Sequence, residues 1–218
     1  MERKITALKA QKRNPNRISI FLDGEYAFGL ARIVAAWLHI GQELTETKIE
    51  QLKEQDNQEV AYQRSLRFLS YRPRSEAEVR KKLEDYGYSQ EVIVGVVQRL
   101  LDNRFLEDNE FARMWIENRN TFRPRSQRIL KMELRQKGIE NDVIEDALSE
   151  TVDDEELAYE AAIRRAPRFA DLDWKTFREK MSGYLGRRGF SYGTISPIVR
   201  RVWDELQSGQ EHHNIEGE

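Results

Sequence analysis

The feature that most limits what this chain can fold into is an internal repeat with a period of 51 residues. Glycines fall at Gly87, Gly138 and Gly189, and a leucine precedes each by four residues, at Leu83, Leu134 and Leu185. The register continues through Val92, Val143 and Thr194, then Ile93, Ile144 and Ile195, then Val97, Leu148 and Val199. The tetrapeptide Arg72-Pro73-Arg74-Ser75 returns unchanged as Arg123-Pro124-Arg125-Ser126, whereas the third copy reads Trp174-Lys175-Thr176-Phe177. Self-similarity at this period marks a supersecondary unit used several times over. The fold class expected is therefore mainly α, with three tandem three-helix repeats behind a small N-terminal β-hairpin and helix segment.

Each unit reads as three helices. In the second, Phe111, Trp115 and Phe122 mark one face of a first helix. Pro124 stops that helix, because the residue before a proline avoids the helical region. Ser126 is placed to cap the next helix, with Leu130 and Leu134 on its inner face. Gly138 supplies a left-handed stop. Val143, Ile144, Ala147 and Leu148 then form the stripe of the third helix. The first unit opens its second helix with Ser75-Glu76-Ala77-Glu78, the pattern of a capping box. Its third helix carries Val92, Ile93, Val96, Val97, Leu100 and Leu101 at helical spacing. The third unit opens with Asp153 to Glu156, acids suited to a helix N-terminus. Pro197 falls inside its third helix, which places the start of that helix close by, with Ser196 as cap.

Ahead of the repeats, Ile18, Ile20 and Leu22 alternate, as do Tyr26, Phe28 and Leu30, with Asp23-Gly24 between them as a two-residue hairpin turn. Lys4 to Gln11 offers a third strand. An apolar helix is expected over Ile33 to Leu38, and a second from Thr45 that runs into the first repeat, since residues 45–71 hold neither Pro nor Gly before Arg72. The divisions expected are 1–55 for the N-terminal segment, 56–106, 107–152 and 153–206 for the repeats, and 207–218 for a polar disordered tail.

The 36 Lys and Arg against 38 Asp and Glu give a net charge of −2, which on its face argues against a polyanionic partner. The distribution says otherwise. Arg119 to Lys137 holds seven bases and one acid, Glu133; Arg64 to Lys82 holds seven bases and two acids; Arg164 to Arg188 holds eight and three. Glu140 to Glu160 holds ten acids and no base. Each repeat therefore has a basic patch at the joint between its first two helices. Patches at one phase of a repeat suit either a phosphate backbone or an acidic protein surface, and the sequence leaves both open. The candidate binding residues are Arg72, Arg74, Arg80, Lys81 and Lys82 in the first unit. In the second they are Arg119, Arg123, Arg125, Arg128, Lys131 and Arg135, and in the third Arg187 and Arg188. Turn chemistry explains Pro73, Ser75, Pro124 and Ser126, but not Arg72, Arg74, Arg123 and Arg125, which are marked as functional for that reason.

Catalytic constellations are missing. There is no cysteine, and the histidines are His39, His212 and His213, the last two in the polar tail. No G-x-x-x-x-G-K-[ST] phosphate loop occurs. Gly186-Arg187-Arg188-Gly189 has the form of a KH backbone clamp. Its counterparts at the first glycine position are Glu84 and Arg135, and no KH strands surround it, so a helix end is the better reading. No run of 18 apolar residues is present to span a membrane. The expectation is a non-enzymatic, cytoplasmic protein that needs no metal or cofactor.

Phe68-Leu69-Ser70-Tyr71-Arg72-Pro73-Arg74-Ser75 followed by Glu78-Val79-Arg80-Lys81-Lys82-Leu83 resembles the first repeat of the bacterial RecX family. Phe105-Leu106-Glu107-Asp108 with Phe111-Ala112 resembles that family's junction into its second repeat, although Asn103-Arg104 stands where a glycine is usual. Gln136-Lys137-Gly138-Ile139 and Gly189-Phe190-Ser191-Tyr192 are similar to the ends of its second helices, and Leu22-Asp23-Gly24-Glu25-Tyr26-Ala27-Phe28 to the front of its longer members. Pro197 and the altered tetrapeptide of the third unit depart from the pattern. The resemblance implies a monomeric modulator of the RecA recombinase that binds the groove of the RecA–DNA filament. It further implies inhibition of strand exchange, ATP hydrolysis and co-protease activity, a place in DNA repair, homologous recombination and the SOS response, and weak DNA binding without sequence preference. The alternative is a stand-alone helical nucleic-acid-binding module. Against it, the third helix of unit two, Asp142 to Glu150, is acidic where a groove-reading helix would be basic.

Overall fold

The computed structural model describes residues 2–151 and 153–215. Four strands come first: β1 (Glu2–Gln11), β2 (Asn14–Leu22), β3 (Glu25–Ala31) and β4 (Glu43–Thr45). They form one antiparallel sheet in the order β3-β2-β1-β4. The hairpin turn is where the sequence places it, with Asp23 at φ 52° and Gly24 at φ 93°. Ile20 faces Phe28 and Ile18 faces Leu30 across that hairpin. Ile5, Ile20, Leu22, Phe28, Leu30 and Leu44 are buried on one face, together with Leu52 of the helix that follows.

Residues 33–38 do not form the expected helix. The backbone folds into successive turns, with Val34 and Ala35 both donating to the carbonyl of Ala31. The segment is uniformly apolar and short, so it offers no stripe, and only Ala35 of it is buried. Gly41 at φ 92° then turns the chain back onto β1. The three residues of β4 carry too little alternation to be read from sequence.

Helix α1 (Glu46–Leu69) is capped by Thr45, whose Oγ1 accepts from the Lys48 N–H at 3.2 Å. Its unbroken length serves two cores: Leu52 lies against the sheet, while Ala61 and Tyr62 join α2 (Glu76–Asp85) and α3 (Gln90–Asp102). The Asp56 carboxylate accepts from the Arg17 guanidinium at 2.8 Å and from the Ala31 N–H, fastening β2 and β3 to α1. Farther along, Glu59, 6% exposed, is neutralised by Arg99 of α3 at 2.6 Å. Arg99 also lies over the Tyr62 ring, 3.7 Å from its centre.

The chain divides into two compact units, Met1–Leu106 and Glu107–Glu218. The second holds α4 (Asp108–Phe122), α5 (Gln127–Gln136), α6 (Asn141–Ser149), α7 (Asp154–Arg165), α8 (Trp174–Gly186) and α9 (Tyr192–Ile215), with a short 3-10 turn at Ala166–Phe169. Two cores lie within it. Phe111, Ala112, Ile116, Leu130, Leu134, Ile144 and Leu148 close α4, α5 and α6. Leu157, Ala161, Phe177, Met181, Leu185, Ile198 and Val202 close α7, α8 and α9. A side chain such as Leu130 or Phe177, withdrawn fully from water, contributes about 1.5–3 kcal/mol.

Three readings change. Phe122 shares a face with Phe111 and Trp115 but is 72% exposed, because α4 has outrun its core by that turn. Ser191, not Ser196, caps α9: its Oγ accepts from the Thr194 N–H at 3.2 Å and its carbonyl from the Ile195 N–H. Pro197 is therefore accommodated within the helix, with the carbonyl of Gly193 left without its usual donor. The expected polar tail is helical through residue 215, since no proline follows Pro197 to end α9, while residues 216–218 lie outside those described.

Candidate functional site

Both copies of the Arg-Pro-Arg-Ser tetrapeptide form a helix-to-helix turn ending in a buried cap. Ser75 Oγ accepts from the Glu78 N–H at 3.3 Å, and Glu78 reaches back to the Ser75 N–H at 3.4 Å, completing the capping box. Ser126 Oγ accepts from the Ile129 N–H at 3.4 Å. Gly87, Gly138 and Gly189 all have positive φ, at 79°, 79° and 92°, and end the second helix of their repeats.

The arginines around the first turn do more than sequence reasoning assigned to them. Arg72 grips Glu78 through two nitrogens at 2.9 and 3.2 Å and bonds the Pro73 carbonyl at 2.9 Å. Arg74 stands 3.9 Å from the same carboxylate and stacks on Phe68, 4.0 Å from the ring centre. Burial, with Arg72 adding repulsion, holds the Arg74 guanidinium below the usual arginine range. Its Nε is buried without a partner among the described residues. Arg80 pairs with Glu76 at 2.6 Å. Lys82 sits over the Tyr86 ring at 4.7 Å, and Lys81 is exposed with no ion pair among the described residues.

In the second unit one carboxylate organises the patch. Glu133, 11% exposed, accepts from Arg119 at 2.8 Å, from the Trp115 indole at 2.9 Å, and from Arg125. Arg119 also stacks on Trp115 at 4.3 Å. Lys131 pairs with Glu145 at 2.7 Å, and Arg135 donates to Asn141 at 2.8 Å. Arg123 and Arg128 are exposed and have no ion pair among the described residues.

The third repeat meets the second at this turn. The Ser126 N–H donates to the Arg188 carbonyl at 3.1 Å, and the Arg188 guanidinium donates to the Pro124 carbonyl at 2.8 Å. The Gln127 N–H donates to Asp154 at 2.7 Å. Gly189 lies so close that a Cβ would stand 2.2 Å from Ile129 Cγ1 and 2.5 Å from Ser126 Oγ. Arg123, Arg125, Arg187 and Arg188 converge here with Tyr184 around a cleft of about 260 Å³. Gly186-Arg187-Arg188-Gly189 is thus the end of α8, docked on the turn of the preceding repeat.

Of the thirteen cations singled out from sequence, the structure gives Arg72, Arg74, Arg80, Arg119, Arg125 and Lys131 carboxylate partners, and leaves Lys81, Arg123, Arg128 and Arg187 open to solvent. Sequence reasoning missed Tyr184, which occupies in the third repeat the position of Glu133 in the second. It also missed the exposure of Ile33, Trp37 and Ile40, with Trp37 90% exposed. An apolar run without a helical stripe was the available signal. Among the described residues no group of three or more His, Asp or Glu is placed to hold a metal ion. No helix among them is long and apolar enough to cross a membrane.

Comparison with known proteins adds an independent line. Residues 3–45 match the N-terminal domain of regulatory protein RecX, and residues 61–100, 108–148 and 153–199 match its first, second and third three-helix domains. The regulatory protein RecX of Lactobacillus gasseri is 37% identical over 91% of this chain and 74% of its own length. That of Bacillus subtilis is 33% identical over 91% and 76%. A crystal structure of regulatory protein RecX superposes with a TM-score of 0.72 at 30% identity, covering 90% of this chain and 98% of the other. That of RecX from Lactobacillus salivarius gives 0.58 at 24% identity over 67% and 97%, and speaks to the fold alone.

Proposed function

The chain belongs to the RecX family of regulatory proteins, and from that premise we propose that it binds the groove of the RecA–DNA filament and restrains the recombinase. It acts there without catalysis, lowering ATP hydrolysis, strand exchange and co-protease activity, in the cytoplasm and as a monomer. The observation that carries this reading is the presence of unneutralised cations in each of the three repeats, in a chain whose overall charge is −2. Lys81, Arg123, Arg128 and Arg187 are exposed and have no ion pair among the described residues, which leaves their charge to an outside partner. Several modest contacts on tandem modules gain strength from being linked, which suits a partner that repeats along an axis. Phosphate contacts of this kind position a protein without reading sequence and weaken steeply with salt. A stand-alone duplex reader is less well supported: the solvent face of α6 carries Asp142, Glu145 and Asp146.

The test is inhibition of RecA ATPase, with co-sedimentation on RecA–DNA filaments, titrated against salt. The variant combines Lys81→Glu, Arg123→Glu, Arg128→Glu and Arg187→Glu. Reversing Arg72, Arg74 or Arg125 instead would set glutamates against Glu78 and Glu133 and confound folding with binding. The expected result is unchanged unfolding temperature and at least a tenfold loss of inhibition. Undiminished inhibition by the folded variant refutes the role given to these cations, and failure of the parent protein to co-sediment at moderate salt refutes the function.

A further inference from the structure

We propose that the cleft between the second and third repeats is a seat for a phosphoryl group, and that its occupant locks the third repeat onto the second. Four arginines line it from both sides of the joint: Arg123 and Arg125 from the turn before α5, Arg187 and Arg188 from the end of α8. The nearest carboxylate engaged with them is Glu133, which Arg119 and the Trp115 indole already share. Positive charge therefore exceeds negative charge within a cleft of about 260 Å³. Like charges gathered against a low-dielectric wall repel, and the arrangement becomes favourable when an anion enters.

The seat is held in place before any ligand arrives. Arg188 is tied to the Pro124 carbonyl at 2.8 Å and lies over the Tyr184 ring at 4.5 Å. Arg125 is anchored on Glu133. Arg123 and Arg187, exposed and without ion pairs among the described residues, are the two arms free to close on the anion. The planar fork of arginine matches phosphoryl oxygens in pairs, which favours phosphate over a halide. The pair Arg187-Arg188 also occurs in this repeat alone: its counterparts are Asp85-Tyr86 and Gln136-Lys137. Arg187 thus adds a cation where neither other repeat has one, while Arg188 stands where the second repeat has Lys137.

Because the four arginines come from two repeats, a bound anion bridges them, and the joint stiffens when the seat is filled. The phosphoryl group can come from a nucleic-acid strand or from a free phosphorylated molecule. The inference rests on reading this basic surface as an interaction site; its test needs no RecA, so filament co-sedimentation can fail with the seat intact.

The experiment is thermal unfolding of the full chain followed by circular dichroism at matched ionic strength in chloride, inorganic phosphate, a short oligothymidylate or oligoglutamate. The parent protein and an Arg13→Ser control, an exposed position in the β1–β2 turn that does not line the cleft, are expected to gain about 5 °C once phosphoryl ligand exceeds Kd by ten to a hundred times. Arg123→Ser combined with Arg187→Ser, at exposed positions, is expected to keep the unliganded unfolding temperature and lose the gain. A response to phosphate identifies a free phosphoryl source and a response to oligothymidylate alone a strand phosphodiester; either supports the seat. No response to either ligand, a gain that survives in the double variant, or a larger cleft-dependent gain from oligoglutamate overturns it.

Discussion

Gly189 tests whether the third repeat is docked on the second as described. Two physical demands meet at this residue. Its φ of 92° disfavours any residue with a Cβ, by about 1–2 kcal/mol. Its Cβ position is also filled: Ile129 Cγ1 would stand at 2.2 Å and Ser126 Oγ at 2.5 Å. Neither obstacle moves freely, since Ser126 is the buried cap of α5 and Ile129 is branched at Cβ. Forcing one extra carbon into such a contact costs about 1–3 kcal/mol, so Gly189→Ala is expected to destabilise by about 2–5 kcal/mol in all. Gly87 provides the control, with φ of 79° and nothing within 4 Å of its Cβ position. Gly87→Ala should show the backbone cost alone, about 1–2 kcal/mol. Urea unfolding followed by circular dichroism gives the two values, and hydrogen exchange in α8 and α9 assigns the loss to the joint. Adding Ile129→Ala should restore about 1 kcal/mol of the Gly189→Ala loss, because the two side chains compete for one space. Equal costs for the two glycine substitutions, or no relief from Ile129→Ala, refute the docking argument.

Three further outcomes follow from named contacts. Glu133→Ala strands two partly buried guanidinium groups and the Trp115 indole; a loss of about 2–3 kcal/mol is expected, with a shifted Trp115 fluorescence maximum, and an unchanged denaturation curve would count against the hub. Asp56→Ala removes the acceptor of Arg17 and of the Ala31 N–H; about 2–3 kcal/mol should be lost, with faster hydrogen exchange in β2 and β3 than in α3, and uniform exchange would show that the sheet is held otherwise. Asp173 caps α8, and hydrogen bonds from the Thr176 hydroxyl and N–H hold its carboxyl below the usual aspartate range. A depressed folded pKa contributes stability present above the unfolded value and lost as pH falls through the folded one. Protection at the start of α8 should therefore decline as pH falls below the usual aspartate range, and Asp173→Asn should abolish that decline.

The helical repeats were legible because their information is local and periodic. Leu130, Leu134, Ile144 and Leu148 stand at the spacing their burial requires, and Ser75, Ser126 and the three glycines name the ends of their helices without help from distant residues. The segment 33–38 departs from the expected helix for the opposite reason. Its turns are set by the Ala31 carbonyl and by the return of Gly41 to Ile5, a contact across the sheet that composition does not encode. The start of α9 lies ahead of the expected boundary at Pro197 because Ser191 supplies the cap more than a turn earlier. The basic residues were found, but their division was not. Which arginine faces a carboxylate depends on packing between helices, and Arg119 and Glu133, fourteen positions apart, meet only once α4 and α5 are closed.

That division follows from one substitution between otherwise matching turns. In the first repeat the capping-box position is Glu78, and Arg72 and Arg74 both turn toward it. In the second repeat the same position is Ile129, so the cap is made by Ser126 without a reciprocal acid. Arg125 then finds its counterion at Glu133, a turn farther along α5, and Arg123 finds none among the described residues. The isoleucine also presents the apolar surface on which Gly189 rests. A single exchange of glutamate for isoleucine therefore both opens an arginine to an outside anion and builds the joint that brings Arg187 and Arg188 beside it. Ile129→Glu is the direct check. It should draw Arg123 back into an internal pair, crowd Gly189, and reduce phosphate binding even though no cation has been removed.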